Sequence, residues 1–174
     1  IGLVERTAMA NTLGADLFVS IHINAAPNKN ARGIETYYLD NTTDRAALKL
    51  AAKENFVSEE VMTSSRDTTN LILADMITSS KVEDSVPLAR MVQKSLVRTM
   101  NARFGDVPDL GVKKAPFWVL TGAVMPCVLT EVNFISNKNE EKRLRTSEYQ
   151  QAAADAIASG VISYLDQYPQ VMGN

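Results

Sequence analysis

One histidine and one cysteine are all that 174 residues contain of the two side chains that bind transition metals most strongly. A lone cysteine excludes an intramolecular disulfide and a zinc ribbon. Between Pro126 and Val128, Cys127 reads most simply as a small core residue. Low cysteine use suits a cytoplasm or a Gram-negative periplasm equally well. No apolar run approaches the ~20 residues of a membrane-spanning helix. Charge of one sign is missing too: the formal net charge is −2, which argues against nucleic acid as the main partner. There is no internal repeat and no low-complexity segment. With 45% of its residues hydrophobic, the chain suits one globular domain, 1–174, with a sizeable core.

The single histidine lies in Asp16–Asn24, DLFVSIHIN. At period 2, Leu17, Val19, Ile21 and Ile23 face one way, and Phe18, Ser20, His22 and Asn24 the other. The first five residues read as a strand buried on both sides. The polar end of the second face suits a strand leaving its sheet, where ligands and catalytic groups collect in open α/β sheets. His22 is thus placed like a site residue. The plainer alternative is a histidine satisfied by a backbone carbonyl.

A second apolar stretch, Cys127–Asn137, CVLTEVNFISN, also carries one ionisable residue, Glu131. A carboxylate in so apolar a strand is costly unless it is paired, bound to metal or given a chemical task. The alternative is a glutamate near a strand end that reaches water. Asn24 and Asn133 are expected on the faces of His22 and Glu131. There they either orient substrate or bound water, or cap strand ends.

ADLFVSIHINAAPN, followed by GIETYYL and much later by MPCVLTEVNFISNKNEE, resembles the zinc-dependent N-acetylmuramoyl-L-alanine amidases of bacterial cell-wall remodelling. The resemblance runs from about Leu3 through the helix after Ser147. It implies an α/β fold with a central, mostly parallel sheet flanked by helices. It also implies hydrolysis of the amide joining muramic acid to the first alanine of the stem peptide, in a periplasmic or extracellular setting with peptidoglycan as substrate. By resemblance His22 is a Zn²⁺ ligand and Glu131 the catalytic carboxylate. The family's other two ligands, a His in a Gly-rich turn and a following Glu, belong to a segment upstream of what matches Ile1. The first strand and helix of the fold are therefore expected to be absent, and zinc binding by this chain alone to be weak. Some periplasmic members carry an inhibitory helix between the GIETYYL strand and the next long helix, displaced by an activator protein. Residues 44–85 fall at that position, with Glu54, Glu59 and Glu60 as candidates to occupy the open zinc position. Glu35 is read as a residue at the edge of the site. The rival reading is a non-catalytic peptidoglycan-binding or regulatory domain on the same fold. A metal-free glycosidase would need a second carboxylate near Glu131 that no motif supplies.

The remaining elements follow from periodicity and punctuation. Ile1–Gly14 is predicted helical, stopped by Gly14, with Arg6 off its apolar face, either solvated or, by resemblance, supporting the rim of the site. Gly33–Asp40 is a strand. A helix over Arg45–Met62 takes its cap from Asn41–Asp44. A polar loop over Thr63–Asn70 is followed by a short apolar piece, Leu71–Thr78. Leu88, Val92, Leu96, Met100 and Phe104 form an i, i+4 row in a helix from Val86, capped by Ser85. Asp106–Ala115 reads as a loop and Pro116–Leu120 as a short strand. After a short helix at Asn137–Glu141, Ser147 and Gln150 read as the capping box of a last helix, whose buried face includes Tyr149, Ala153, Ile157 and Tyr164.

Overall fold

A computed structural model describes residues 1–64 and 79–171. The elements are α1 (Leu3–Thr12), β1 (Phe18–Asn24), β2 (Ile34–Leu39), α2 (Arg45–Glu54), α3 (Glu59–Ser64), α4 (Ser79–Phe104), β3 (Asp109–Ala115), β4 (Cys127–Phe134), α5 (Lys138–Leu144) and α6 (Ser147–Gln167), with short 3-10 turns at Trp118–Leu120 and Pro169–Val171. The strands form one sheet in the order β1-β4-β2-β3. β1 pairs with β4 and β2 with β3 in parallel, while β2 and β4 are antiparallel. The mostly parallel α/β sheet implied by the resemblance is therefore present. The apolar piece at 71–78 and most of the loop before it lie outside the described residues.

Each face of the sheet has its own core. On one, Ile34, Val128 and Val132 pack under α4 and α6. There the row Leu88, Val92, Leu96 and Met100 is completely buried, as its spacing requires. Gly160 lets α4 and α6 touch: a Cβ on it would lie 2.7 Å from the Cα of Val92. On the other face, Tyr37, Leu129, Leu50, Ala51 and Phe117 pack beneath α2 and the 3-10 turn at Trp118–Leu120. Both faces of β4 are covered, and all eight of its residues are buried.

Several local expectations are corrected. β1 is an edge strand, not one buried on both sides. Ile21 and Ile23 are 58% and 45% exposed because, among the described residues, no helix packs extensively on that strand. The helix expected over Arg45–Met62 breaks after Glu54. Phe56 takes φ +58°, and the Asn55 side chain turns inward to donate to the Pro116 carbonyl and accept from the Trp118 N–H. Asp109–Ala115 is a strand, since DLGVKKA carries too few β-branched residues to announce one but pairs along β2. Residues 118–120 form a 3-10 turn instead of a strand. α4 begins at Ser79 and tolerates Pro87 within it, and Ser85 is not its cap: the buried Ser85 hydroxyl accepts from the Cys127 N–H. Thr146, not Ser147, caps α6 by accepting from the Tyr149 N–H. Gly14 does end α1, at φ +62°.

Candidate active site

Strand register assembles the site. The parallel pairing of β1 and β4 sets His22 opposite Glu131, and the antiparallel pairing of β4 and β2 sets Glu35 opposite Glu131 from the other side. One row across three strands thus holds an imidazole and two carboxyls. The residues lie far apart in the chain, and the row forms only when the sheet closes.

α2 brings a further carboxylate to the row. Asp44 caps this helix, its carboxylate accepting from the N–H groups of Ala46 and Ala47. Ala47 and Ala51 lie on its buried face, and Glu54 continues that face at its end. The Oε2 of Glu54 lies 2.8 Å from Nδ1 of His22. Lys53 Nζ stands 3.4 Å from the other oxygen of Glu54. The inward Asn55 amide ties this end of the helix to Pro116 and Trp118, so the carboxylate is held on the histidine by its neighbour in sequence. With Nδ1 given to Glu54, Nε2 is the ring nitrogen left for another task.

Glu131 is completely buried, and neither of its oxygens has a hydrogen-bond partner among the described residues. Burial, reinforced by repulsion from Glu54 and Glu35, pushes its carboxyl up to about 8, with Lys53 opposing. Glu54 moves the other way: its hydrogen bond to His22 holds it below the usual carboxylate range, against the effect of burial. Glu35 is buried but fully engaged, accepting from Lys113 Nζ at 2.6 Å and from Asn24 Nδ2 at 2.9 Å. Its charge adds to burial in raising the neighbouring Tyr37 hydroxyl above its ordinary value.

The ligand atoms of His22, Glu54 and Glu131 lie within 4.8 Å of one another, the only such trio among the described residues. One imidazole and two carboxylates suit a zinc-type ion, and the orphaned oxygens of Glu131 are what a site shaped for a cation leaves behind. Beside the trio runs a groove of about 830 Å³ between α2 and the loop after β1, with Tyr37 and Phe134 in its wall and Lys49 and Lys53 along the helix.

The predicted residues separate here. His22 and Glu131 meet, and Glu54 joins them; Glu59 is in a surface pair with Lys49, at 3.1 Å. Asn24 lines the groove, with its amide on Glu35. Asn133 does not share the face of Glu131. His22 is opposite Glu131 while Asn24 is opposite Phe134, so β4 carries one extra residue there, a bulge that turns Asn133 to the other side. Its amide donates to Glu140 and Tyr149, and its oxygen accepts from the N–H groups of Gly33 and Phe134. Arg6 is exposed on α1. Nothing in the local pattern marks Lys113, because DLGVKKA reads as a loop, or the inward turn of Asn55. The continuation of the Ala47–Ala51 face to position 54 was the signal that distinguishes Glu54 from Glu59 and Glu60.

Residues 1–163 match the family described as N-acetylmuramoyl-L-alanine amidase. Similar curated relatives include the uncharacterized protein YqiI of Bacillus subtilis, 34% identical over 165 residues covering 95% of this chain and 59% of YqiI. Another is the N-acetylmuramoyl-L-alanine amidase AmiA of Escherichia coli, 33% identical over 171 residues, 94% of this chain and 57% of AmiA. Among solved structures, the N-acetylmuramoyl-L-alanine amidase from Clostridium difficile 630 superposes with a TM-score of 0.64 at 30% identity, covering 95% of this chain and 66% of that one. The chain therefore spans between a half and two thirds of the length of these relatives. The sheet, its flanking helices and the motifs around His22 and Glu131 all fall within the matched span, and the chain belongs to the N-acetylmuramoyl-L-alanine amidase family.

Proposed function

We propose that this chain carries part of the catalytic machinery of a peptidoglycan amidase held in a resting state by α2. The reaction is hydrolysis of the amide between N-acetylmuramic acid and L-alanine, in the bacterial cell envelope, periplasmic or extracellular. The observation that carries the reading is the trio itself: Glu54 seated on His22 while a buried Glu131 stands beside them without a hydrogen-bond partner among the described residues.

His22 would be one ligand of a zinc ion, and in the resting arrangement the Glu54 carboxylate would occupy a further position on it. When bound, the ion lowers the pKa of a bound water to about 7 and polarises the amide carbonyl. Glu131 performs the proton transfers: one oxygen takes a proton from the attacking water and delivers it to the leaving nitrogen, so that amide and water become acid and amine. In the resting arrangement Glu131 keeps its own proton, since burial and, after it, the Glu54 and Glu35 charges oppose ionisation. Withdrawal of Glu54 removes one of those charges and returns Glu131 toward the carboxylate that accepts a proton. The same movement frees Nδ1 of His22. Residues 44–85 thus form a regulatory insertion, and an activator protein acts by drawing α2 away. Asn24 orients the wall of the site through Glu35. No helix among the described residues is long and apolar enough to cross a membrane.

The test uses the parent protein, loaded with zinc, on purified peptidoglycan. Glu54→Ala should raise the basal release of stem peptides several-fold without activator, whereas Glu54→Asp should stay close to the parent. A folded Glu54→Ala protein with unchanged or lower turnover would remove the inhibitory role. Unchanged turnover in Glu131→Gln would remove Glu131 from the chemistry, and absence of turnover in the zinc-loaded parent and in Glu54→Ala alike would favour a binding or regulatory domain.

A further inference from the structure

The chain as a whole is slightly acidic, at net −2, yet the outward side of α4 is basic. Arg90, Lys94 and Arg98 follow one another at i, i+4 spacing, and Arg103 stands further along the helix and around its surface from them, all four exposed. A helical rise of ~1.5 Å per residue sets successive members of the i, i+4 set about 6 Å apart along the axis. Among the described residues, none of the four lies within ion-pair distance of a carboxylate. Elsewhere among the described residues, Arg32, Lys49, Lys53, Lys113, Lys114, Arg143 and Arg145 each have an acidic partner.

The row borders two depressions. One, of about 560 Å³, lies between α4 and α6. It is lined by Lys94, Arg98 and Arg103 and by the hydroxyl residues Ser95, Thr99 and Ser163, with no carboxylate in its wall. The other, of about 490 Å³, lies toward β3 and shares Lys94 and Arg98 with the first. Its one acid, Asp109, is already engaged by Gln93 and the Gly111 N–H.

We propose that this ridge is a docking rail for a linear phosphodiester polymer. Arginine forks match the oxygens of a phosphodiester, and the regular spacing of Arg90, Lys94 and Arg98 along one helix matches a repeating chain. A flat anionic membrane is the poorer fit. Helices that lie on membranes set Trp, Phe or Leu beside their cations, while Met91 is the one large apolar side chain in the wall of the larger depression. That wall also lacks the aromatic platforms on which nucleic-acid bases stack. The rail lies on the α4/α6 side of the sheet, whereas Glu54 reaches His22 from the α2 side. A polymer held there leaves the His22 site open, so binding and hydrolysis are separable.

The test measures binding of the whole chain to a fluorescently labelled glycerol phosphate polymer of defined length, by anisotropy across a salt series. Affinity should fall steeply with salt, as expected where several phosphates are neutralised. The Lys94→Glu/Arg98→Glu double variant should bind at least tenfold more weakly with a shallower salt dependence, at unchanged melting temperature. Because both positions are exposed, the variant is expected to fold; Lys94→Ala/Arg98→Ala, which should lose part of the affinity, serves if it does not. The proposal is overturned if the polymer does not bind, if the charge reversal leaves affinity unchanged, or if poly-glutamate of equal charge binds as tightly. Binding confined to phosphatidylglycerol vesicles would assign the ridge to a lipid surface instead and equally overturn it.

Discussion

Glu131 and Glu140 are both buried carboxyls, nine positions apart in sequence, and the protein treats them in opposite ways. Glu140, at 3% exposure, accepts from the Asn133 amide and from Arg143, and the Tyr149 hydroxyl closes the network from α6. Glu131, at 0%, receives no hydrogen bond from the described residues. One side of the sheet compensates its buried charge with donors. On the other, Glu35 is likewise supplied with donors, but the Glu131 carboxyl is left bare with two carboxylates set toward it. A structural carboxylate is given partners because an unpaired one costs several kcal/mol. A carboxyl left without them within a strand, beside a histidine, points to work done in another state of the protein.

The contrast can be broken most sharply at Glu131. Glu131→Gln in the zinc-loaded parent protein should reduce amidase turnover by ~10²–10⁴-fold, the usual contribution of a general acid–base group. Its melting temperature should not fall, because no hydrogen bond is lost. A comparable loss of turnover accompanied by unfolding would instead make Glu131 structural, like Glu140.

On the compensated side the effect should appear in stability. Asn133→Ala removes the donor to Glu140 and leaves the Gly33 N–H without its acceptor. A cost of about 2–4 kcal/mol is expected in urea unfolding. A cost below about 0.5 kcal/mol would mean that water replaces the amide freely and that the two carboxyls differ less than their surroundings imply.

A smaller effect separates the two by pH. In metal-free protein, folded Glu131 keeps its proton up to about pH 8, whereas the ordinary carboxyl loses it near 4.5. Between these values the folded state binds more protons than the unfolded one, so this residue's contribution to stability declines as pH rises through the window. The melting temperature of Glu131→Gln relative to the parent should therefore improve from about pH 5 to about pH 8.5. A difference independent of pH would show that Glu131 is ionised throughout.

The smallest expected effect concerns Tyr164, whose buried hydroxyl has no partner among the described residues although its ring stacks on Tyr168. Tyr164→Phe should be neutral or stabilising by up to about 1 kcal/mol, since only an unsatisfied polar group is removed. A clear loss in thermal unfolding would reveal a partner, such as an ordered water, for that hydroxyl.

The amino-acid sequence by itself determined the elements with strong periodicity and the residues with no competitor. The i, i+4 row of α4, the apolar run of β4 and the single His22 could be read in one dimension, because helical and strand periods are local properties of the chain. Tertiary structure decided what local pattern does not encode. DLGVKKA became a strand because β2 offered it an edge, and β1 is half exposed because, among the described residues, no helix packs extensively on it. A bulge of one residue turned Asn133 away from Glu131, and strand parity alone cannot foresee an insertion in register. The pairing of His22 with Glu54, 32 positions apart, depends on where α2 lands and on Asn55 holding it there. The state of Glu131 likewise follows from three strands and one helix meeting, because desolvation and the repulsion of neighbouring charges exist only once the chain has closed around it.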